Sequence, residues 1–399
     1  MIFMNKDSLS YRIVRCIVWY VCKIFPINKK KVIFSSYYGR GYADNLKYIA
    51  EQLIGREYEL VWMVKDENEA KTLPSEITPC TINSLDWVYQ LSTAALWIDN
   101  CRKVFKFKKK KQFYIQTYHG GGGGKKCERD AADKLSKEYV EMSIKDAKNT
   151  DLMISSDRFM TNLYHNSFWY NGPVAEFGYP RYDILLKKDK SMEKKKVDNF
   201  FKIESHTHYI LYAPTFRRDH SFQAYSVDFK RVIECFEKRF NKKFVMLVHL
   251  HPNVATRFSE IQYDSQIINA TVYPDMQELM AVSDILIGDY SSVNLEFSLM
   301  KKPVFRFATD IQDYKDDRDM YFEMTEYPFP LAENNDELIK NIEQFDEQKY
   351  IAYLERFHEK VGVILNPHSA EECAKLIEDF FSVDCNKDKL LEQYSELLK

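Results

Sequence analysis

The chain has 399 residues, which at roughly 100–200 per domain makes two domains or one large one. Its 57 Lys and Arg against 59 Asp and Glu exclude a general electrostatic attraction to nucleic acid, and a composition 45% hydrophobic and 29% charged excludes a disordered or fibrous chain. The 8 cysteines form no C-x-x-C pair and the 9 histidines no H-E-x-x-H pattern, so reduced thiols in a cytosolic protein are expected, with no metal and no other cofactor.

Tyr11 to Phe25 is apolar but carries Arg12, Arg15 and Lys23 and stops at Pro26. About 15 residues are too few for a hydrocarbon core that needs about 20, and no small-residue cleavage site marks a secretory signal. Arg12 and Arg15 share one helical face, Ile13, Ile17, Trp19, Tyr20 and Ile24 cover much of the rest, and Lys29 to Lys31 follow. Residues 1–28 therefore read as a helix lying in an anionic membrane interface, with a helix packed on the domain as the alternative.

Past residue 30, short β-branched or aromatic runs alternate with amphipathic stretches. Strands are expected at Lys31 to Ser36, Glu59 to Lys65, Ala95 to Asn100, Phe113 to Tyr118 and Asp151 to Ser156, with helices at Ala43 to Ile54 and over 126–148. The polar stretch Leu186 to Lys196 reads as a linker. A second series gives strands at Tyr209 to Ala213, Phe244 to Leu250, Ile285 to Gly288 and Pro303 to Phe307. Its helices fall over 227–240, at Met276 to Val282 behind an Asp275-x-x-Glu278 capping box, and at Ser292 to Met300; from about 336 the chain is helical. The expected organisation is an N-terminal α/β domain over 29–195, a C-terminal α/β domain over 196–380 and a terminal helix over 381–399. Such parallel sheets present ligands at the carboxyl ends of their strands, in a cleft between the domains.

Four motifs fall at such strand ends. Only 12 residues are glycine, and five of them form the run Gly120 to Gly124 behind His119. Gly120 and Gly121 let a backbone approach a ligand closely, and His119 stands where a general base for a hydroxyl belongs. Ala213-Pro214-Thr215 leads to Arg217, whose planar guanidinium suits a pyrophosphate, or else is a solvated charge paired with Asp219. His249 and His251 alternate along one strand face, and Pro252 fixes His251 in an extended direction. Asp289-Tyr290-Ser291-Ser292 opens a helix and reads as a phosphate site, or as a simple helix cap.

The order QTYHG, APTFR, HLHP and GDYSS-x-x-x-E resembles the CDP-glycerol glycerophosphotransferase family, whose members prime and polymerise wall teichoic acid or build polyol-phosphate capsules. The likeness runs from about Lys31 to Asn335 and includes Gly178 to Asp183. It implies two Rossmann-like domains of the glycosyltransferase B type, peripheral attachment to the cytoplasmic face of the bacterial membrane, a CDP-polyol donor and a lipid-linked or polymeric acceptor. By the same resemblance His119 matches the base, Arg217 and His251 the pyrophosphate contacts, Ser291 and Ser292 the phosphate loop, and Asp289 and Glu296 acidic positions of that segment. Pro274 joins the substrate-binding positions. Tyr118 replaces the usual Trp, the pentaglycine replaces a more varied loop, and Glu296 stands where Asp is common. The rival expectations are a sugar-nucleotide glycosyltransferase of the same fold and a nucleotide-binding assembly protein without turnover.

Overall fold

The computed structural model describes residues 9–103, 105–121, 124–215, 217, 225–250, 261–311 and 319–399. Strand β1 (Asn28–Ser35) explains the architecture of the first sheet. Val32, Ile33 and Phe34 are wholly buried: Val32 and Phe34 point into one apolar layer, Ile33 into another. A strand apolar on both faces needs cover on both, which is the mark of a parallel sheet sandwiched by helices. The remaining strands are β2 (Glu59–Val64), β3 (Thr78–Thr81), β4 (Ala94–Asp99), β5 (Phe113–Gln116), β6 (Leu152–Ile154) and β7 (Val174–Ala175). They lie in the order β3-β2-β1-β4-β5-β6-β7, every neighbouring pair parallel.

The second sheet repeats the scheme with β8 (His208–Tyr212), β9 (Phe244–Val248), β10 (Ile267–Asn269), β11 (Ile285–Gly288), β12 (Val304–Phe307) and β13 (Leu331–Ala332). Its order is β10-β9-β8-β11-β12-β13, again wholly parallel. In both sheets the winding reverses beside the first strand, between β1 and β4 and between β8 and β11. Loops leaving neighbouring strands at such a reversal diverge, and the crevice they leave is where doubly wound sheets bind ligands.

The chain divides into two compact units, one of residues 1–119, 127–183 and 368–399, the other of 120–126 and 184–367. This differs from the expected division at 195/196. Residues 184–195 go with the second unit: Ser191–Phe201 is a helix rather than a linker, and its Val197 is wholly buried. Residues 368–399 return to the first unit because Cys373, Leu376, Ile377 and Phe380 of helix Ser369–Ser382, with Leu390, share the apolar layer of Val32 and Phe34. Asp183 anchors that helix by accepting from the Ser369 and Ala370 amides at 3.0 and 2.8 Å. The long helix expected over 126–148 is broken. A 3-10 segment Glu128–Lys134 kinks at Ala131, and Ser136 then caps helix Lys137–Asn149 by accepting from the Tyr139 amide.

The N-terminal segment forms helix Leu9–Cys22. Trp19 and Cys22 sit in the second apolar layer, Trp19 meeting Trp87 edge-on at 5.8 Å and Phe107 at 5.3 Å, while Ile13, Ile17, Tyr20, Val21 and Ile24 are exposed. The helix thus packs by one face on helix Leu85–Thr93 and Phe107 and shows a second apolar face outward. Trp19→Ala should lower unfolding stability by about 3–5 kcal/mol, seen as a lower urea midpoint at unchanged slope. Ile17→Ala, at 57% exposure, should stay within about 0.5 kcal/mol.

Candidate active site

In the first unit, the loops leaving β1, β4 and β5 converge on His119. Its Nδ1 lies 2.7 Å from the Asn100 carbonyl oxygen, just past β4. A carbonyl can only accept, so Nδ1 carries the proton and Nε2 of the neutral ring keeps its lone pair, the tautomer a general base requires. Tyr37 packs edge-on against the ring at 5.5 Å and Tyr118 lies beside it at 4.6 Å. Cys101 Sγ is 3.7 Å from Nδ1, but burial pushes this thiol well up, with Asp99 and Asp44 adding to the effect. A thiol so disfavoured as thiolate is no nucleophile.

The backbone around His119 is held from a second layer that sequence motifs did not reveal. Arg181 donates from Nη2 to the His119 carbonyl at 3.1 Å and from Nη1 to Asp44 at 2.9 Å. Asn45 donates to the Tyr118 carbonyl at 3.3 Å and accepts from the Arg181 amide at 3.2 Å. Burial alone would push the Asp44 carboxyl up, but Arg181 and the Tyr37 hydroxyl outweigh it and hold it below its ordinary value. Tyr37, Tyr38, Asp44 and Tyr118 all have φ between 42° and 64°, a left-handed conformation costly for such residues. Strain gathered at one place implies a surrounding structure that enforces it.

In the second unit, the loops leaving β8 and β11 are tied by Asp289, which is 1% exposed. Its carboxylate accepts from the Thr215 amide at 2.9 Å, the Thr215 hydroxyl at 2.6 Å, the Tyr290 amide at 2.6 Å and Arg217 Nη1 at 2.8 Å. Arg217 also donates from Nε and Nη2 to Asp310, at 2.5 and 3.1 Å, and from Nη1 to the Thr215 carbonyl at 2.7 Å. Burial weakens its charge, yet Asp289 and Asp310 outweigh that and hold the guanidinium above its usual range. The sequence expectation of a pyrophosphate-facing cation, with a solvated charge as its alternative, meets a buried arginine already shared by two carboxylates. In this arrangement Arg217 fixes the loop geometry.

The serine loop follows directly. Ser291 Oγ accepts from the Val293 amide at 3.3 Å, and its carbonyl takes the Asn294 amide at 3.2 Å. The helix runs only Val293–Ser298, and its first amides are met internally, so the loop presents hydroxyls. Glu296 is buried, accepting from Gln277 at 3.0 Å and from the Ser292 hydroxyl at 3.4 Å. Ser291, Ser292, Asn294, Tyr290 and Asp289 line a pocket with Gly124, Arg306, Met324 and Tyr327. Gly124 reaches it because the end of the glycine run pairs with the second unit: Tyr321 donates to the Gly124 carbonyl at 3.0 Å and Lys126 to that of Asp319 at 2.8 Å. Gly120 and Gly121 go with the same unit, whereas they were expected on the acceptor side. Pro274 is exposed in the bend before helix Met276–Val282. His249 follows β9, its amide donating to the Tyr212 carbonyl at 2.9 Å; His251 and Pro252 lie outside the described residues.

The family described as CDP-Glycerol:Poly(glycerophosphate) glycerophosphotransferase matches residues 18–379. A teichoic acid poly(glycerol phosphate) polymerase of Bacillus spizizenii is 28% identical over 90% of this chain and 94% of its own length. One of Bacillus subtilis is 30% identical over 82% of this chain, which spans only 45% of that protein. Among solved structures, the wall teichoic acid polymerase TagF superposes with a TM-score of 0.80 at 24% identity, covering 96% of this chain and 100% of that one. That likeness is one of fold.

Gly288 closes β11 with a requirement of its own. A Cβ there would stand 2.0 Å from Asn294 Oδ1, while Asn294 Nδ2 donates to the Asp289 carbonyl at 2.9 Å. Gly288→Ala should therefore destabilise by about 1–3 kcal/mol. Adding Asn294→Ala should recover part of that loss, so that thermal unfolding of the two singles and the double shows a cost smaller than the sum.

Proposed function

This chain belongs to the CDP-glycerol:poly(glycerophosphate) glycerophosphotransferase family, and on that premise we propose that it moves a polyol phosphate from a CDP-activated donor to an acceptor hydroxyl and releases CMP. Glycerol phosphate is the first choice of polyol and ribitol phosphate the second. The reading rests on His119, whose Nδ1 proton is fixed by the Asn100 carbonyl so that Nε2 can take a proton. The acceptor oxygen attacks the polyol-side phosphorus, its proton passes to His119 Nε2, and the bond from phosphorus to the CMP oxygen breaks in line. The Ser291 and Ser292 hydroxyls serve the donor phosphates, with His251 assigned to the leaving group from sequence alone. Arg217 holds the loop through Asp289 and Asp310. Fold likeness by itself leaves the sugar-nucleotide and scaffold alternatives standing. A CMP-release assay with CDP-glycerol, CDP-ribitol and UDP-sugars separates all three: UDP release marks the glycosyltransferase, and binding without turnover marks the scaffold.

The proposal extends to where the enzyme works. No helix among the described residues is long and apolar enough to cross a membrane. The outward face of helix Leu9–Cys22, with Ile13, Ile17, Tyr20 and Val21 exposed beside Arg12, suits the surface of an anionic bilayer. The attachment is peripheral, on the cytoplasmic side, where a lipid-linked or polymeric acceptor is met.

His119→Ala should lower turnover by about 10²- to 10⁴-fold with donor affinity nearly unchanged. Ser291→Ala with Ser292→Ala should instead weaken CDP-glycerol binding by about 1–3 kcal/mol in calorimetry. Normal turnover in the histidine variant at saturating substrate would remove the base. Separately, Ile13→Ser with Ile17→Ser should keep the urea midpoint yet reduce co-sedimentation with anionic vesicles; unchanged co-sedimentation would take the helix out of membrane attachment.

A further inference from the structure

Arg306 is a buried cation that the mechanism above leaves unused. It lies on β12 at 3% exposure, paired with Gly288 of β11 and Leu331 of β13. Its Nη2 donates to the carbonyls of Met324 at 2.6 Å and Phe329 at 3.3 Å, and its Nη1 faces the Met324 sulfur at 3.7 Å. Nε has no hydrogen-bond partner among the described residues. The Tyr327 ring lies 5.1 Å from the guanidinium carbon. Burial pulls its pKa down to about 10, opposed by Tyr327 and Tyr290, with no carboxylate of the described residues contributing.

A buried charge without a counter-charge is expensive to keep. The same unit shows the usual remedy in Arg217, which is matched by Asp289 and Asp310. Among the described residues Arg306 has received only carbonyls, a sulfur and an aromatic ring, and no carboxylate there neutralises its charge. It also lines the pocket that holds Ser291, Ser292 and Gly124. Hydroxyls and a guanidinium suit anionic oxygens, and the carboxylate that also lines the pocket, Asp289, is already met by Thr215, Tyr290 and Arg217.

We propose that Arg306 is the counter-charge for a phosphoryl group bound in this pocket, making it a binding residue for a phosphate-bearing substrate. The proposal rests on the phosphotransfer reading for the identity of the carrier, which is either the pyrophosphate of a CDP-polyol or a phosphodiester of the acceptor. The chemistry recognised is the same in both cases.

The test compares wild type with Arg306→Met and Arg306→Lys in the full chain, using inorganic pyrophosphate, CMP, cytidine and CDP-glycerol as probes in calorimetry, and the acceptor in steady-state kinetics. Thermal unfolding reports which variants are folded. In the methionine variant, affinity for pyrophosphate, CMP and CDP-glycerol should fall by about 10- to 100-fold, with cytidine unaffected and the lysine variant intermediate. If donor affinity is unchanged but KM for the acceptor rises by that factor, the phosphoryl group belongs to the acceptor and the proposal stands. If Arg306→Met does not fold, the lysine variant alone decides, since loss of the planar fork should still weaken anion binding severalfold. Wild-type affinities and wild-type acceptor KM in a folded variant overturn the proposal. Binding of pyrophosphate that depends on Arg306 without turnover of CDP-glycerol keeps the anion site and sinks only the transferase reading.

Discussion

The geometry of the second unit depends on one carboxylate that has been stripped of water. Asp289 sits where β11 ends, and all its donors but the Tyr290 amide come from the loop that leaves β8, its neighbour across the winding reversal. Two strands adjacent in the sheet would otherwise send their loops apart. Desolvating a carboxylate is costly unless several donors meet it, and here backbone amides, a hydroxyl and a guanidinium do so. The serine loop inherits its position from that knot, because Tyr290, Ser291 and Ser292 follow Asp289 directly in the chain.

The first unit solves the same problem with the same residue pair. Asp44 and Arg181 form a buried ion pair at 2.9 Å beside the carboxyl end of β1, and Arg181 passes the restraint on to the His119 carbonyl. In both units an arginine that looks available to a ligand is occupied in holding backbone. Arg102 extends the pattern, pairing with Glu128 at 3.0 Å and Asp146 at 3.3 Å under the same loops. The difference lies in Arg306, which is buried and carries no such partner among the described residues.

Much of this was legible in the residues and some was not. The strands at Lys31, Glu59, Phe113 and Phe244 could be read because unbroken β-branched and aromatic runs occur where both faces of a strand are covered. The motifs could be read because strand-end loops concentrate His, Gly, Ser and Asp. The role of Arg217 could not: its acids stand 72 and 93 positions away in sequence, and no local pattern encodes them. Arg306 was concealed inside Val304-Phe305-Arg306-Phe307, which reads simply as a strand. Asn100, Asp44 and Arg181 act on His119 through backbone, a kind of contact that residue type alone does not announce. The helix at Ser369 shows an apolar face, but such a face does not say which sheet it will cover.

That last point bears on how the protein is made. The first sheet is complete in sequence once residue 175 has left the ribosome, yet one of its faces is covered by Cys373, Leu376, Ile377 and Phe380. At about 5–20 residues per second, the intervening stretch takes roughly 10 to 40 s to synthesise. Throughout that interval Leu46, Ile49 and Leu53 already share the layer of Phe34 and Trp62, but Phe113 lacks Phe380, which meets it at 5.0 Å, and residues 184–367 of the second unit are themselves still being made. The second unit, which ends at 367, therefore has all its parts slightly before the first, whose sheet must wait for residues 368–399 to finish its cover.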